Sequence, residues 1–229
     1  MNKHFIDEDL TFEVNENLTA RVENIKDLAT LAGDRPVPVL GDIPIVYVDN
    51  FYKNPDKVRD LALRTPSTKN PRICGGLPGT RIDMNMYLDS MFPVWRDIIS
   101  NVYGMNDEQS QAFLWACLNT PFSVNVTQSQ EGTLDPHIDY PEKEDGTDGG
   151  WAGLIYLNLD DECNGGTGFY DQQHRLTHLA EMKYNRMLIY PANILHGAYD
   201  EDGWFKDELY RLVQVFFFPI KKILNKRTK

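Results

Sequence analysis

Apolar residues along the chain follow two different periods, and the change from one to the other predicts the architecture. Val58, Leu61 and Ala62 are spaced for one helical face after Asn54-Pro55-Asp56, which supplies a capping residue, a first-turn proline and an early acid. A helix is expected to about Arg64. Phe92, Trp95, Ile98, Ile99 and Val102 repeat at three- and four-residue spacing, so a second helix is expected from Asp89 to about Tyr103. Its aromatic residues read as core. From about Ala112 the pattern shifts to short apolar or alternating runs: 113–118, 122–126, 151–159, 176–182, 187–190 and 209–218, separated by turns rich in Gly, Asp and Pro. Short strands at such spacing indicate an all-β sandwich or barrel.

The expected fold is therefore mainly β with N-terminal helices, a double-stranded β-helix (jelly roll) core flanked by helices. At 229 residues the chain is expected to form a single domain over 1–229. Residues 1–111 are an N-terminal extension whose two helices pack on the core, with a strand at Ile43–Val48 and a Pro-rich stretch at 34–39. Residues 112–219 are the core and 220–229 a basic tail. The tail holds Lys221, Lys222, Lys226, Arg227 and Lys229, and reads as a solvated terminus.

Composition narrows the functional classes. A net charge of −11 repels nucleic acid and anionic membrane surfaces, so neither is expected as a partner. The start of the chain is acidic where a signal peptide is apolar, and no run approaches the about 18 apolar residues of a membrane span. The three cysteines, Cys74, Cys117 and Cys163, are too scattered for a disulfide framework or a metal knuckle. A cytoplasmic protein is expected. The Gly-rich stretch Cys74–Gly79 lacks the strand-loop-helix context of a phosphate-binding loop and reads as a plain loop.

Candidate chemistry concentrates in two places. His137 and Asp139 are two residues apart, and in an extended chain such residues share a face, so both can reach one metal ion. His196, in a later β region, can complete a two-imidazole, one-carboxylate set with open positions opposite, an arrangement that suits Fe(II). Such a triplet alone is also compatible with an exposed loop beside a core histidine. His174 and His178 are four apart, a zinc spacing on a helix, but their segment reads as a strand edge; His4 carries no signal. The acidic stretches 142–148 and 160–162 lack the regular oxygen spacing of a calcium loop. The first follows Asp139 closely, with Gly146, Gly149 and Gly150 as hinges, and can also be read as a lid.

Further elements follow the His137-Ile138-Asp139 motif in order: Tyr156-Leu157-Asn158, then Gly165 to Phe169, then Tyr190-Pro191 leading to His196, then Arg211 opening an apolar run to Phe218. Over roughly residues 122–219 the chain resembles the prolyl-hydroxylase-like branch of the Fe(II)/2-oxoglutarate-dependent dioxygenases. The resemblance implies iron held by His137, Asp139 and His196, with 2-oxoglutarate and O2 as co-substrates. It implies release of succinate and CO2 and hydroxylation of an unactivated C–H bond in a small-molecule or peptide substrate. It also implies that Arg211 pairs with the distal carboxylate of 2-oxoglutarate, as a guanidinium fork can. The insertion 201–208 lengthens the interval before Arg211 and offers Lys206 as a competing anchor; Arg211 is preferred because it directly precedes the apolar final strand. By the same match Tyr156 brings its hydroxyl near that carboxylate, although a strand tyrosine can equally be packing alone. The sequence departs from the family where a tyrosine usually precedes the His-x-Asp motif, leaving Asn125, Thr127 and Gln128 as polar substitutes. Two other readings remain open: a cupin-type metal jelly roll that does not use 2-oxoglutarate, and a non-catalytic jelly-roll module for binding or structure.

Overall fold

The computed structural model describes residues 12–64, 80–84, 91–107, 109–111, 122–128, 136–139, 149–162, 164–199 and 210–220. They form a mainly β, wholly antiparallel architecture with few helices. In chain order the strands are β1 (Ala20–Ile25), β2 (Ala29–Ala32), β3 (Arg35–Pro38), β4 (Ile43–Val48), β5 (Thr80–Met84), β6 (Phe122–Gln128), β7 (Gly149–Tyr156), β8 (Gly166–Tyr170), β9 (Leu176–Glu181), β10 (Met187–Pro191), β11 (His196–Tyr199) and β12 (Tyr210–Ile220). Helix α1 spans Pro55–Arg64 and α2 spans Phe92–Tyr103. A seven-stranded sheet has the order β1-β4-β10-β7-β12-β6-β5, a three-stranded sheet the order β11-β8-β9, and β2 and β3 form a hairpin.

The central strands of the large sheet are buried on both faces, which is why they read as nearly unbroken apolar runs. On one face Val46, Val48, Ile155, Leu157, Met187, Ile189, Leu212 and Phe216 pack with the helices, through Val58, Leu61 and Ala62 of α1 and Trp95 and Ile99 of α2. On the other, the alternate residues Ile45, Tyr47, Leu154, Tyr156, Leu188, Tyr190, Val213 and Val215 meet Phe169 and Ala180 of the small sheet. The period of two thus divides each strand between a helix-facing core and an inter-sheet core. The second core encloses the candidate site.

Helix α1 has the expected bounds, with Asp56 in its first turn and Arg64 in its last, placed to suit the helix dipole. Helix α2 begins at Phe92, three residues after the expected start, and ends at Gly104, whose φ of 71° is the left-handed cap that glycine favours. The strands expected at 122–126, 151–159, 176–182, 187–190 and 209–218 correspond to β6, β7, β9, β10 and β12 within a few residues. The run expected at 113–118 lies outside the described residues, as do His4 and most of the basic tail.

The N-terminal part departs from the simple picture of an extension laid on a core. Strands β1, β4 and β5 join the same sheet as the C-terminal strands, with β4 pairing directly to β10. β1 is an edge strand with its first three residues exposed, so it lacks the alternation that reveals a half-buried strand. The Pro-rich stretch forms β3, a ribbon partner of β2 in which Pro36 and Pro38 stand opposite Leu31 and Ala29.

Trp95 is the keystone of the helix-facing core. Its ring centroid lies 4.4 Å from that of Phe216 and 4.9 Å from that of Phe218, and its indole N–H is directed at the Met187 sulfur at 3.2 Å. Trp95→Ala is expected to destabilise the fold by about 3–5 kcal/mol in guanidinium titration, with an unchanged denaturant slope. A loss below about 1 kcal/mol would remove α2 from the main core.

Candidate metal centre

The segment carrying His137 and Asp139 is joined to β11 by backbone hydrogen bonds. The His137 N–H donates to the His196 carbonyl and the His196 N–H donates to the His137 carbonyl, both at 2.9 Å. The Asp139 N–H donates to the Ala192 carbonyl, also at 2.9 Å. This antiparallel bridge brings the first two candidate ligands to the start of the strand that carries the third. One potential ligand atom from each of His137, Asp139 and His196 then lies within 4.8 Å of the others, a separation that one metal ion can span.

The individual geometries suit that role. His196 Nε2 is 3.2 Å from Asp139 Oδ2, and His137 Nε2 is 3.9 Å from Asp139 Oδ1. His196 Nδ1 lies 2.8 Å from the Ile194 carbonyl oxygen. Because a carbonyl can only accept, Nδ1 carries the proton there and Nε2 keeps a lone pair for a ligand, the usual outer support of a metal-binding histidine. Asp139 Oδ2 is buried without a hydrogen-bond donor in good geometry. His196 is 5% exposed. Burial, the largest influence, disfavours its charged form, but the Asp139 charge, contact with Asp139 and the Ile194 carbonyl together raise its pKa above the usual histidine value. That is an electrostatic arrangement in which a cation stabilises the cluster.

A cavity between the sheets joins the triad to Arg211, and its water-accessible volume is ≈ 60 Å³. Arg211 is 8% exposed, with one guanidinium nitrogen donating to the Gly166 carbonyl at 3.2 Å. Its Nε is buried and has no hydrogen-bond partner among the described residues. The position follows from β12 alternation: Arg211, Val213, Val215 and Phe217 line the cavity, whereas Leu212, Phe216 and Phe218 face the helices. A side-chain carbon on Gly166 would collide with the Ala180 carbonyl of β9, so only glycine lets β8 run this close to β9.

The remaining candidates fall into three groups. Tyr156 is fully buried, and its hydroxyl pairs with Thr167 Oγ1 at 2.8 Å and donates to the Ala180 carbonyl at 3.1 Å. The Arg211 guanidinium carbon lies 5.8 Å from its ring centroid, so Tyr156 supports Arg211 from the side. Thr127 stands opposite Arg211 in the backbone register, Asn125 opposite Val213 and Gln128 opposite Tyr210; their side chains lie outside the described residues, as does Lys206. His174 occupies a turn with φ of 58°, while His178, on β9, lies 2.5 Å from the Tyr47 hydroxyl, so the pair is not gathered as ligands. Burial, followed by the Arg21 charge, lowers the His178 pKa. The acidic stretch 142–148 lies outside the described residues. In 160–162, Asp160 accepts from the Tyr184 N–H and Glu162 pairs with Arg59 and the Leu159 N–H.

Two cavity residues escape a reading by motif. Thr167 lies within the Gly-rich stretch and Tyr190 immediately before Pro191, and both line the cavity. The Tyr190 ring centroid is 4.7 Å from that of His196 and 5.2 Å from that of Phe169. Burial pushes its phenol well above the usual range, with Asp139 and Tyr156 acting the same way and Arg211 opposing, so the hydroxyl stays protonated. Alternation along β10 marks it as inward-facing; its polar role appears only when hydrogen bonds are counted.

Fold and site together define a mainly antiparallel β protein with a His-Asp-His group able to hold a metal ion. The chain belongs to the family of unknown function DUF6445, which matches residues 37–180, more than half of its length. The match includes His137 and Asp139 and ends before His196 and Arg211. No curated protein matches the chain. No helix among the described residues is long and apolar enough to cross a membrane.

The geometry generates a direct test. Anaerobically purified protein is expected to bind about one Fe(II), and His137→Ala or His196→Ala to abolish stoichiometric binding in an equilibrium chelator competition. Retention of full iron by both variants would dismiss the triad as the binding site.

Proposed function

We propose that the protein is an Fe(II)- and 2-oxoglutarate-dependent oxygenase that hydroxylates an unactivated C–H bond in a small molecule or peptide. The observation that carries this reading is that two incomplete polar groups line one small cavity. One is the triad, with a buried carboxylate oxygen, and the other a buried guanidinium, and among the described residues neither that oxygen nor the guanidinium Nε has a hydrogen-bond partner. A metal completes the first and a ligand carboxylate completes the second.

The strand order supports the finer fold reading, a double-stranded β-helix. From β6 onward the chain passes from the large sheet to the His137 bridge, back to β7, then through β8 and β9 of the small sheet, to β10, to β11 and to β12. Such repeated crossing between two sheets is the winding expected of a jelly roll. The donor set, two imidazoles and one carboxylate with open positions, fits Fe(II). The cavity has room for about four to six waters, at roughly 10–15 Å³ each, which suits a small organic acid. Peptides and larger substrates must approach its mouth from outside.

Bound Fe(II) and 2-oxoglutarate would supply the oxidising chemistry, with O2 consumed and succinate and CO2 released. The chain's own share is positioning and exclusion. His137, Asp139 and His196 would hold the metal, and the Ile194 carbonyl orients His196. Arg211 takes the distal carboxylate, while Val213, Val215 and Phe217 form an apolar wall that limits water. The same proposal includes a cytoplasmic setting and no nucleic-acid substrate, in line with the cysteine usage and the net charge of −11.

Truncating one partner of a desolvated charge pair costs about 2–5 kcal/mol, so Arg211→Ala is expected to weaken 2-oxoglutarate by about 30-fold or more. Lys206→Ala is expected to change it by less than about threefold, as for an exposed pair. Titrating 2-oxoglutarate into anaerobic Fe(II) protein and following the metal-to-ligand charge-transfer band compares them. The reverse order would move the anchor to the 201–208 insertion. No effect of either variant would favour a cupin-type site without 2-oxoglutarate.

A further inference from the structure

The resemblance assigns the hydroxyl beside Arg211 to Tyr156, yet that hydroxyl is already engaged by Thr167 and the Ala180 carbonyl. Another tyrosine lines the same cavity. Tyr190 is 4% exposed, and among the described residues no hydrogen bond reaches its hydroxyl. Its ring packs on His196 and Phe169, a task that phenylalanine would perform equally well. The hydroxyl therefore adds nothing to the ring packing and, on a residue that lines the cavity, leaves a donor to offer a ligand. Arg211 lines the same cavity, and its buried Nε is a second donor without an acceptor among the described residues. An ionised carboxylate offers only acceptors, about four lone-pair sites over two oxygens, and so matches both.

We propose that the Tyr190 hydroxyl donates a hydrogen bond to an oxygen of the dicarboxylate that Arg211 anchors, making β10 the source of the second donor in the cavity. The assignment rests on the 2-oxoglutarate reading above and adds to it a binding role for a residue that the motif matches contain but leave without one. It also accounts for the missing tyrosine ahead of the His137-Ile138-Asp139 motif: the hydroxyl enters from the strand approaching His196 instead.

The test is Tyr190→Phe, which keeps the ring and deletes the hydroxyl. Anaerobic Fe(II) protein is titrated with 2-oxoglutarate and the charge-transfer band followed; the variant is expected to bind about 10- to 100-fold more weakly, the scale of a hydrogen bond to a charged group. The ligand-free melting temperature is measured alongside and is expected to be unchanged or higher, since no hydrogen bond to a described residue is lost. Wild-type protein that binds 2-oxoglutarate, with a variant within threefold of it, overturns the assignment alone. A ligand-free melting temperature lowered by several degrees also overturns it, because the hydroxyl would then be structural. If wild-type protein gives no charge-transfer band, the oxygenase reading falls and this assignment falls with it.

Discussion

The candidate site depends on one reciprocal pair of backbone hydrogen bonds, between His137 and His196. The two residues are far apart in sequence and belong to segments that could otherwise slide past each other. Once the pair forms, extended geometry directs the His137 and Asp139 side chains to one side, and the register of β11 against β8, with His196 opposite Phe169, fixes the third ligand. The three candidate ligands are thereby referenced to the small sheet. Arg211 is referenced to the large sheet through β12, and the inter-sheet core of Leu154, Tyr156, Phe169, Val213 and Val215 sets the separation between them. The cavity is thus a product of sheet packing, and within the small sheet Gly166 lets β8 approach β9.

Buried polar atoms without partners are the second thread. Among the described residues Asp139 Oδ2 and Arg211 Nε are buried without a hydrogen-bond partner, and both residues line the cavity. Leaving such a group unmade costs about 1–3 kcal/mol, large beside the net stability of about 5–15 kcal/mol that domains hold. On the proposed reading the protein bears this cost because metal and co-substrate complete the cluster. The apolar surroundings then strengthen each of those contacts relative to water.

How much the sequence discloses depends on what each segment buries. The strands β7, β10 and β12 are legible because residues such as Leu188, Ile189, Val213 and Phe216 are buried on one face or the other. Helix α1 is legible from Pro55, Asp56 and the spacing of its three buried residues. β1 is not, since it is a sheet edge with Arg21 and Glu23 among its residues, and β8 is not, since Gly166, Thr167 and Gly168 carry no apolar alternation although all are buried. At the site, His137, Asp139, His196 and Arg211 stand out by residue type and order. Tyr156 and Tyr190 are indistinguishable by pattern, both inward-facing aromatics on central strands. Only three-dimensional neighbours separate a satisfied hydroxyl from a free one.

On the proposed reading, metal and co-substrate meet at this cavity to activate dioxygen. Measuring O2 consumption and succinate formation together in Fe(II)-loaded protein supplied with 2-oxoglutarate tests it most directly. With ascorbate added as the two-electron reductant, slow turnover is expected without any added substrate, with succinate and O2 in equal amounts, abolished by Asp139→Ala. Iron-loaded wild-type protein that binds 2-oxoglutarate but forms no succinate above the Asp139→Ala background, with and without a panel of amino-acid, peptide and small-molecule substrates, would contradict it.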